Sequence, residues 1–272
     1  MPDLPVRCDL DQLRSEGDDP DAVARSYGFP AWVRLELEVE RRRLLNERDL
    51  AGLGALFAEH PELVTARMEH WTDHCLGTTP LAYIAMLRFD AKRLGLAPVT
   101  DGTDDVARLL VASGARIEGD GREFETPLIT AASYGDIDVA RVLIEAGADI
   151  DAKAAENGAV PGSTALAHAA VFGFTVIVDL LAAAGARVDG IVEAAAVGNI
   201  DGYLTDETPF EHKVRALTMA AGHGRVDVIR QLVAAGVPVD AVDAWGYTAL
   251  RAATENGRDA AVAALREFGA QS

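Results

Sequence analysis

The feature that most constrains this chain is an internal repeat. Three segments align over their first half without gaps: Thr126-Pro127-Leu128 through Ala131-Ala132 to Gly135, Thr164-Ala165-Leu166 through Ala169-Ala170 to Gly173, and Thr248-Ala249-Leu250 through Ala253 to Gly257. Each leads into a second apolar stretch, at 137–144, 176–181 and 260–265, and each closes on a Gly-Ala pair, at Gly147-Ala148, Gly185-Ala186 and Gly269-Ala270. A unit of this size cannot bury its own apolar side and has to stack on its neighbours, so the repeat overrides any domain count taken from length alone.

Local chemistry predicts two helices per unit. The Thr126 hydroxyl can take up the first free amides of a helix, and Pro127 occupies the first helical position, where no N–H is missed. Gly135 and Gly147 can adopt the left-handed conformation that ends a helix. Leu128, Val139, Val142 and Leu143 recur with the period of a buried helical stripe, and Ala131 and Ala132 leave room for a partner helix to come close.

This pattern resembles the ankyrin repeat, whose signature is Thr-Pro-Leu-His-x-Ala on a unit of ~33 residues. Further copies are Thr79-Pro80-Leu81 to Ala85, Ala216-Leu217 to Gly224 with its second stretch at 226–236, and a degenerate one at 191–198. The resemblance implies an all-α ankyrin-repeat solenoid of about six helix-turn-helix units, spanning residues 33–272 as one continuous domain. Residues 24–32, which include Tyr27-Gly28-Phe29-Pro30 and Trp32, resemble a segment that precedes ankyrin arrays in bacterial proteins, so residues 1–32 are expected to form an N-terminal helical cap. A helix from about Trp32 to Asn46 pairs with the stretch at 49–57 as a first repeat.

Spacing shows where the array departs from regularity. Leu217 and Leu250 lie 33 residues apart, but Leu128 and Leu166 lie 38 apart and Leu81 and Leu128 lie 47 apart. The excess falls in insertions at 87–102 and 153–162; Leu166 and Ile191 lie only 25 residues apart, so the hairpin before Ile191 is nearly deleted, with compensating length after it at 202–215. Solenoids put such changes in loops on one side, often the binding side.

Composition narrows the function. Against 25 Lys and Arg stand 43 Asp and Glu, a formal charge of −18, which excludes a general nucleic-acid binder and disfavours an anionic membrane surface. No apolar run approaches the roughly 18 residues of a membrane span, and the N-terminus lacks the order of a signal peptide, so the cytoplasm is the expected location. Cys8 and Cys75, the two cysteines, read as reduced thiols.

Candidate site residues follow from stacking equivalent positions on the concave side that the resemblance implies. Two residues after the repeat leucine stand Tyr83, Thr130, His168, Met219 and Ala252. Tyr134, Phe172 and His223 each precede the glycine that ends a first helix. His168 can serve as a general acid or base, or as a structural histidine bonded to a finger carbonyl. The finger at 68–77 holds Trp71, Asp73 and His74, residue types that a hairpin tip does not need. Glu211 and His212 enter the Leu217 helix and offer an acid–base pair. No cofactor is expected: phosphate cradles, nucleophile elbows and paired-cysteine metal sites are absent, and His70 and His74 stand without a second ligand cluster.

Two functions fit. The first is a binding module for a protein or peptide, whose basic character would complement the acidic chain. The alternative is a small-molecule-binding enzyme with acid–base chemistry of the hydrolase, lyase or isomerase kind, using His168, Tyr83, His74, Glu211 and His212. For either, the ligand-contacting set is Trp71, Asp73, Tyr83, Thr130, Tyr134, His168, Phe172, His212, Met219 and His223.

Overall fold

The repeat threonines start helices, as their chemistry dictates. Side chains of Thr79, Thr126, Thr164 and Thr248 accept from the N–H of Ala82, Ile129, Ala167 and Arg251, and Pro80 and Pro127 occupy first-turn positions. The computed structural model describes residues 4, 8–68, 78–157 and 159–271. Among them fifteen α-helices form: α1 (Leu10–Arg14), α2 (Pro20–Ser26), α3 (Trp32–Glu47), α4 (Leu50–Glu59), α5 (Pro80–Asp90), α6 (Thr103–Ala112), α7 (Pro127–Tyr134), α8 (Ile137–Glu145), α9 (Ala165–Val171), α10 (Thr175–Ala183), α11 (Ile191–Val197), α12 (Phe210–Gly222), α13 (Val226–Ala234), α14 (Ala249–Glu255) and α15 (Asp259–Glu267). No strand element forms among these residues; Met68 and Thr78 pair in an isolated antiparallel bridge. The chain is an all-α repeat solenoid that divides into two compact units, Met1–Asp149 and Ile150–Ser272.

In the first unit, α3/α4, α5/α6 and α7/α8 are helix pairs, and α5 lies directly against α7. The alanines make that approach possible: Ala82 and Ala85 on α5 and Ala131 and Ala132 on α7 are all buried. Gly135 ends α7 at φ +79°, the left-handed turn its sequence predicts. The 87–102 insertion differs from expectation in its first residues, which continue α5 as a further helical turn to Asp90. The remainder is pinned by buried Ala91, Leu94 and Val99. Fingers of successive repeats are clamped by Glu123, whose Oε1 accepts from the Thr79 N–H at 2.7 Å and from the Thr78 and Thr79 hydroxyls at 3.1 and 3.0 Å. Arg67 and Asp120, whose side chains are little exposed, pair at 2.9 Å beside it.

In the second unit, α9/α10, α12/α13 and α14/α15 are complete pairs, and α11 has no second helix. Residues 199–209 run as turns instead, and α12 is lengthened to 13 residues. Along the first-helix layer, α11 packs on α12 and α12 on α14. Two arginines staple this layer at its C-terminal ends, where helix carbonyls have no partner of their own. Arg225 donates from Nε to the Ala196 carbonyl at 2.7 Å and pairs with Asp179; Arg258 donates from Nε to the Gly222 carbonyl at 3.0 Å.

A second series of links recurs with the repeat. Glu118, Asp151 and Asp240 each accept the backbone N–H that follows the next Gly-Ala exit, at Asp149 (2.8 Å), Arg187 (2.8 Å) and Gln271 (3.0 Å). The series breaks at Asp189. Its following unit, built on α11, has no second helix and so no such exit, and its carboxylate pairs with its own Arg187 at 2.6 Å.

Replacing Glu118 with alanine should lower stability by on the order of 1 kcal/mol, the worth of a charge-assisted backbone bond, and Tm by about 2–4 °C. Asp189→Ala removes an ion pair whose partners both lie open to solvent and should leave Tm nearly unchanged. Thermal unfolding of the two variants beside the native chain checks the difference.

Candidate functional site

The second unit contains a cleft of about 320 Å³ where the C-terminal ends of α9, α12 and α14 meet the finger before Thr248. Its floor is the buried set Thr218, Met219, Gly222 and Ala252; its rim is the exposed set Phe172, Trp245 and Glu255. Asn256 closes one end. A Cβ at Gly173 would stand 2.8 Å from the Asn256 Oδ1, and Gly173 has φ +80°, so glycine is needed there on two counts.

The finger tip is built on one carboxylate. Asp243, buried, accepts the N–H groups of Trp245 and Tyr247 on Oδ1 at 3.0 and 2.9 Å and the Arg215 guanidinium on Oδ2 at 2.6 Å. The Arg215 guanidinium in turn lies 3.4 Å from the centre of the Trp245 ring. Burial draws the Arg215 pKa below its ordinary value while Asp243 holds it up, and a guanidinium stays charged throughout. Arg251 repeats the arrangement, 4.2 Å above the Tyr247 ring and bonded to Glu255 at 2.7 Å. Each aromatic therefore has one side covered by a cation, and each cation has its own carboxylate.

Beneath the cleft lies a histidine hub. The His223 Nε2–H donates to the Ala170 carbonyl at 2.9 Å, which fixes Nδ1 as the acceptor of the Thr175 hydroxyl at 2.8 Å. Thr175 Oγ1 also accepts from Arg258 at 2.7 Å, so residues of three helix pairs meet at one hydroxyl. Burial, aided by the positive charges of Arg225 and Arg258, lowers the His223 pKa against the pull of the Ala170 bond. His168 is fully buried, with its pKa lowered by burial and held up in part by a bond to the Val160 backbone; its ring lies 6.1 Å from that of Phe172.

Of the residues read from sequence, Phe172, Met219 and His223 come together at this cleft, and His168 sits behind Phe172 without lining it. Glu211 and His212 are exposed in the first turn of α12. Tyr83, Thr130 and Tyr134 belong to the first unit. Tyr83 is buried under Arg42, 4.1 Å from its ring, and bonded to Asn46 at 2.6 Å; Thr130 is buried; Tyr134 packs edge-on against Phe89 at 5.6 Å. Trp71, Asp73 and His74 lie outside the described residues. The whole row two places after the repeat leucine is buried, and only its Met219 and Ala252 reach the cleft, as part of its floor. Arg215, Asp243, Trp245, Tyr247, Glu255 and Asn256 line or support the cleft without being marked by the repeat pattern. Two aromatics in a finger tip that needs neither were the available signal.

No arrangement among the described residues supports the catalytic alternative. No group of three His, Cys, Asp or Glu is placed there to hold a metal ion, and no described helix is long and apolar enough to cross a membrane.

A stack of helix pairs with glycine-terminated first helices defines an all-α helical-repeat protein. Residues 94–191 match the family model for ankyrin repeats (3 copies), and residues 217–267 match that for ankyrin repeats (many copies), together more than half of the chain. The chain belongs to the ankyrin-repeat family, whose members are generally protein–protein interaction modules. No curated protein matches it.

The lowered histidines set a pH dependence. Below about pH 6.5 the unfolded chain takes up protons that folded His223 and His168 refuse, so their contribution to stability is present above that pH and is lost as pH falls towards their lowered values. Each histidine contributes a slope of up to about 1.4 kcal/mol per pH unit in that window. Urea unfolding between pH 7.5 and 5.5 should be steeper in pH for the native chain than for His223→Gln; parallel curves would mean that His223 protonates freely in the fold.

Proposed function

We propose that this protein is a cytoplasmic binding module, that its partner is a protein or a peptide segment of one, and that the second unit recognises it through the cleft between Phe172 and Trp245. Trp245 carries this reading. Its indole is 63% exposed, yet Arg215 and the Asp243-centred turn hold it in one place. A large aromatic kept rigid in water gives up burial that an ordinary finger tip would retain, and it meets a partner with little entropy left to lose. Phe172, 44% exposed across the cleft, supplies the opposing apolar surface. Tryptophan, tyrosine and arginine around a small cavity are the residue types that dominate binding energy at interfaces. A reducing setting suits Cys8, whose thiol burial and the neighbouring Glu16 and Asp9 push up to about 11, leaving it unreactive.

Capture from an extract of the cells that make the protein, with quantitative mass spectrometry, tests the reading. Proteins retained by the native chain and by Phe268→Ser should be lost at least tenfold with Trp245→Ser. Equal retention by all three refutes it.

Residues 1–32 we propose to be a cap on the first repeat. In support, α2 packs on α3, the Trp32 N–H donates to Asp21 at 2.8 Å, and Arg14 lies over the Trp32 ring at 5.2 Å while pairing with Glu36 at 2.5 Å. Deleting 1–32 should lower Tm by several degrees, and an unchanged melting curve would remove the cap from the picture.

A further inference from the structure

We infer that the segment docking in this cleft carries one bulky apolar side chain and, within about five residues on one side of it, lysine or arginine. The inference rests on the docking role proposed for the cleft and adds the chemistry of the occupant and its direction along α12.

The cleft-lining residues of α12 form a single stripe: Arg215, Thr218, Met219 and Gly222. At about 100° per residue, Glu211 falls on the same stripe one turn before Arg215. From Glu211 to Gly222 the helix rises about 16 Å at ~1.5 Å per residue, the reach of about five extended residues. A segment laid along this stripe therefore touches both of its ends.

The two ends differ in charge. At the aromatic end each cation already has its carboxylate: Arg215 bonds Asp243 and Arg251 bonds Glu255. A charged group entering there would lose its hydration and find no free counter-charge, so an apolar side chain is the fitting occupant between Phe172 and Trp245. At the other end Glu211 is exposed in the first turn of α12, where the helix dipole favours a carboxylate. Asp206 and Glu207 are exposed in the turn that leads into it, which Thr208 closes by accepting the Thr205 N–H at 2.9 Å. Lys213 lies about 200° round the helix from Arg215, on the far side from the stripe. Phe210, 59% exposed beside Glu211, offers apolar surface for the stem of a long basic side chain. The net charge of −18 on the whole chain steers the same kind of partner from a distance.

The test is selection of a random dodecapeptide phage library on the immobilised native chain, followed by binding of the fluorescein-labelled selected peptides in solution. Trp245→Ser reports on the cleft; Glu207→Lys with Glu211→Lys, and the milder pair Glu207→Gln with Glu211→Gln, report on the acidic end. All these side chains are exposed, and thermal unfolding confirms that each variant folds. Expected are peptides lost with Trp245→Ser, enriched in Lys or Arg within five residues on one side of an aromatic or branched apolar residue. Their affinity should fall at least tenfold with the lysine pair, by less with the glutamine pair, and with rising salt. Trp245-dependent peptides that lack the basic flank, or that bind both acidic-end pairs as they bind the native chain, would overturn the inference while leaving the cleft as the docking site. A library yielding no Trp245-dependent peptide would overturn the docking role itself, and the inference with it.

Discussion

Small side chains on the first helices are the constraint from which the rest of this structure follows. Ala131 and Ala132 on α7, Ala194 to Ala196 on α11, Ala220 and Ala221 on α12 and Ala252 and Ala253 on α14 are buried where one first helix meets the next. At that spacing the end of one helix comes within reach of a side chain on the following repeat, and the fingers can touch one another. Arg225 on the Ala196 carbonyl, Arg258 on the Gly222 carbonyl and Glu123 on Thr79 are all bonds that a bulkier packing residue would pull out of range. The alanines themselves contribute little transfer free energy each; they set the distances over which everything polar operates.

The irregular unit around α11 shows what this regularity was supporting. With no second helix after α11, Asp189 has no following exit to hold and turns to Arg187, and the residues released go into 199–209 and the longer α12. That longer helix carries Arg215, which in turn positions Trp245. The departure from the repeat and the candidate site are thus linked through a single side chain.

Much of the fold was legible in the sequence because its causes are local. Thr126 and Thr164 cap helices and Gly135 turns left-handed; the missing second helix after α11 is not legible this way, because the spacing of Leu166 and Ile191 points to a shortened hairpin before Ile191 instead. The site was legible only in part. Phe172, Met219 and His223, read as positions on first helices, line the cleft, but periodicity assigns a residue to a side of its helix without saying which helix ends converge. The finger tip with Trp245 and Tyr247 comes from a different part of the repeat, and its order depends on Asp243, whose three bonds reach two segments. His168 has the chemistry of an acid–base residue, yet it is fully buried behind Phe172 and does not line the cleft.

The Thr175 hydroxyl joins His223 and, 83 residues away in sequence, Arg258. Arrays of repeats ordinarily have contacts only between adjacent members, which keeps contact order low and lets a terminal repeat fray on its own. Here the last repeat holds the first helix pair of its unit directly, so the interactions close into a ring. Opening α14 and α15 would strip α10 of a partner as well as α13. The second unit should therefore behave as one cooperative body, slower to assemble than its helical content alone would imply, rather than as a stack that can be shortened from the end.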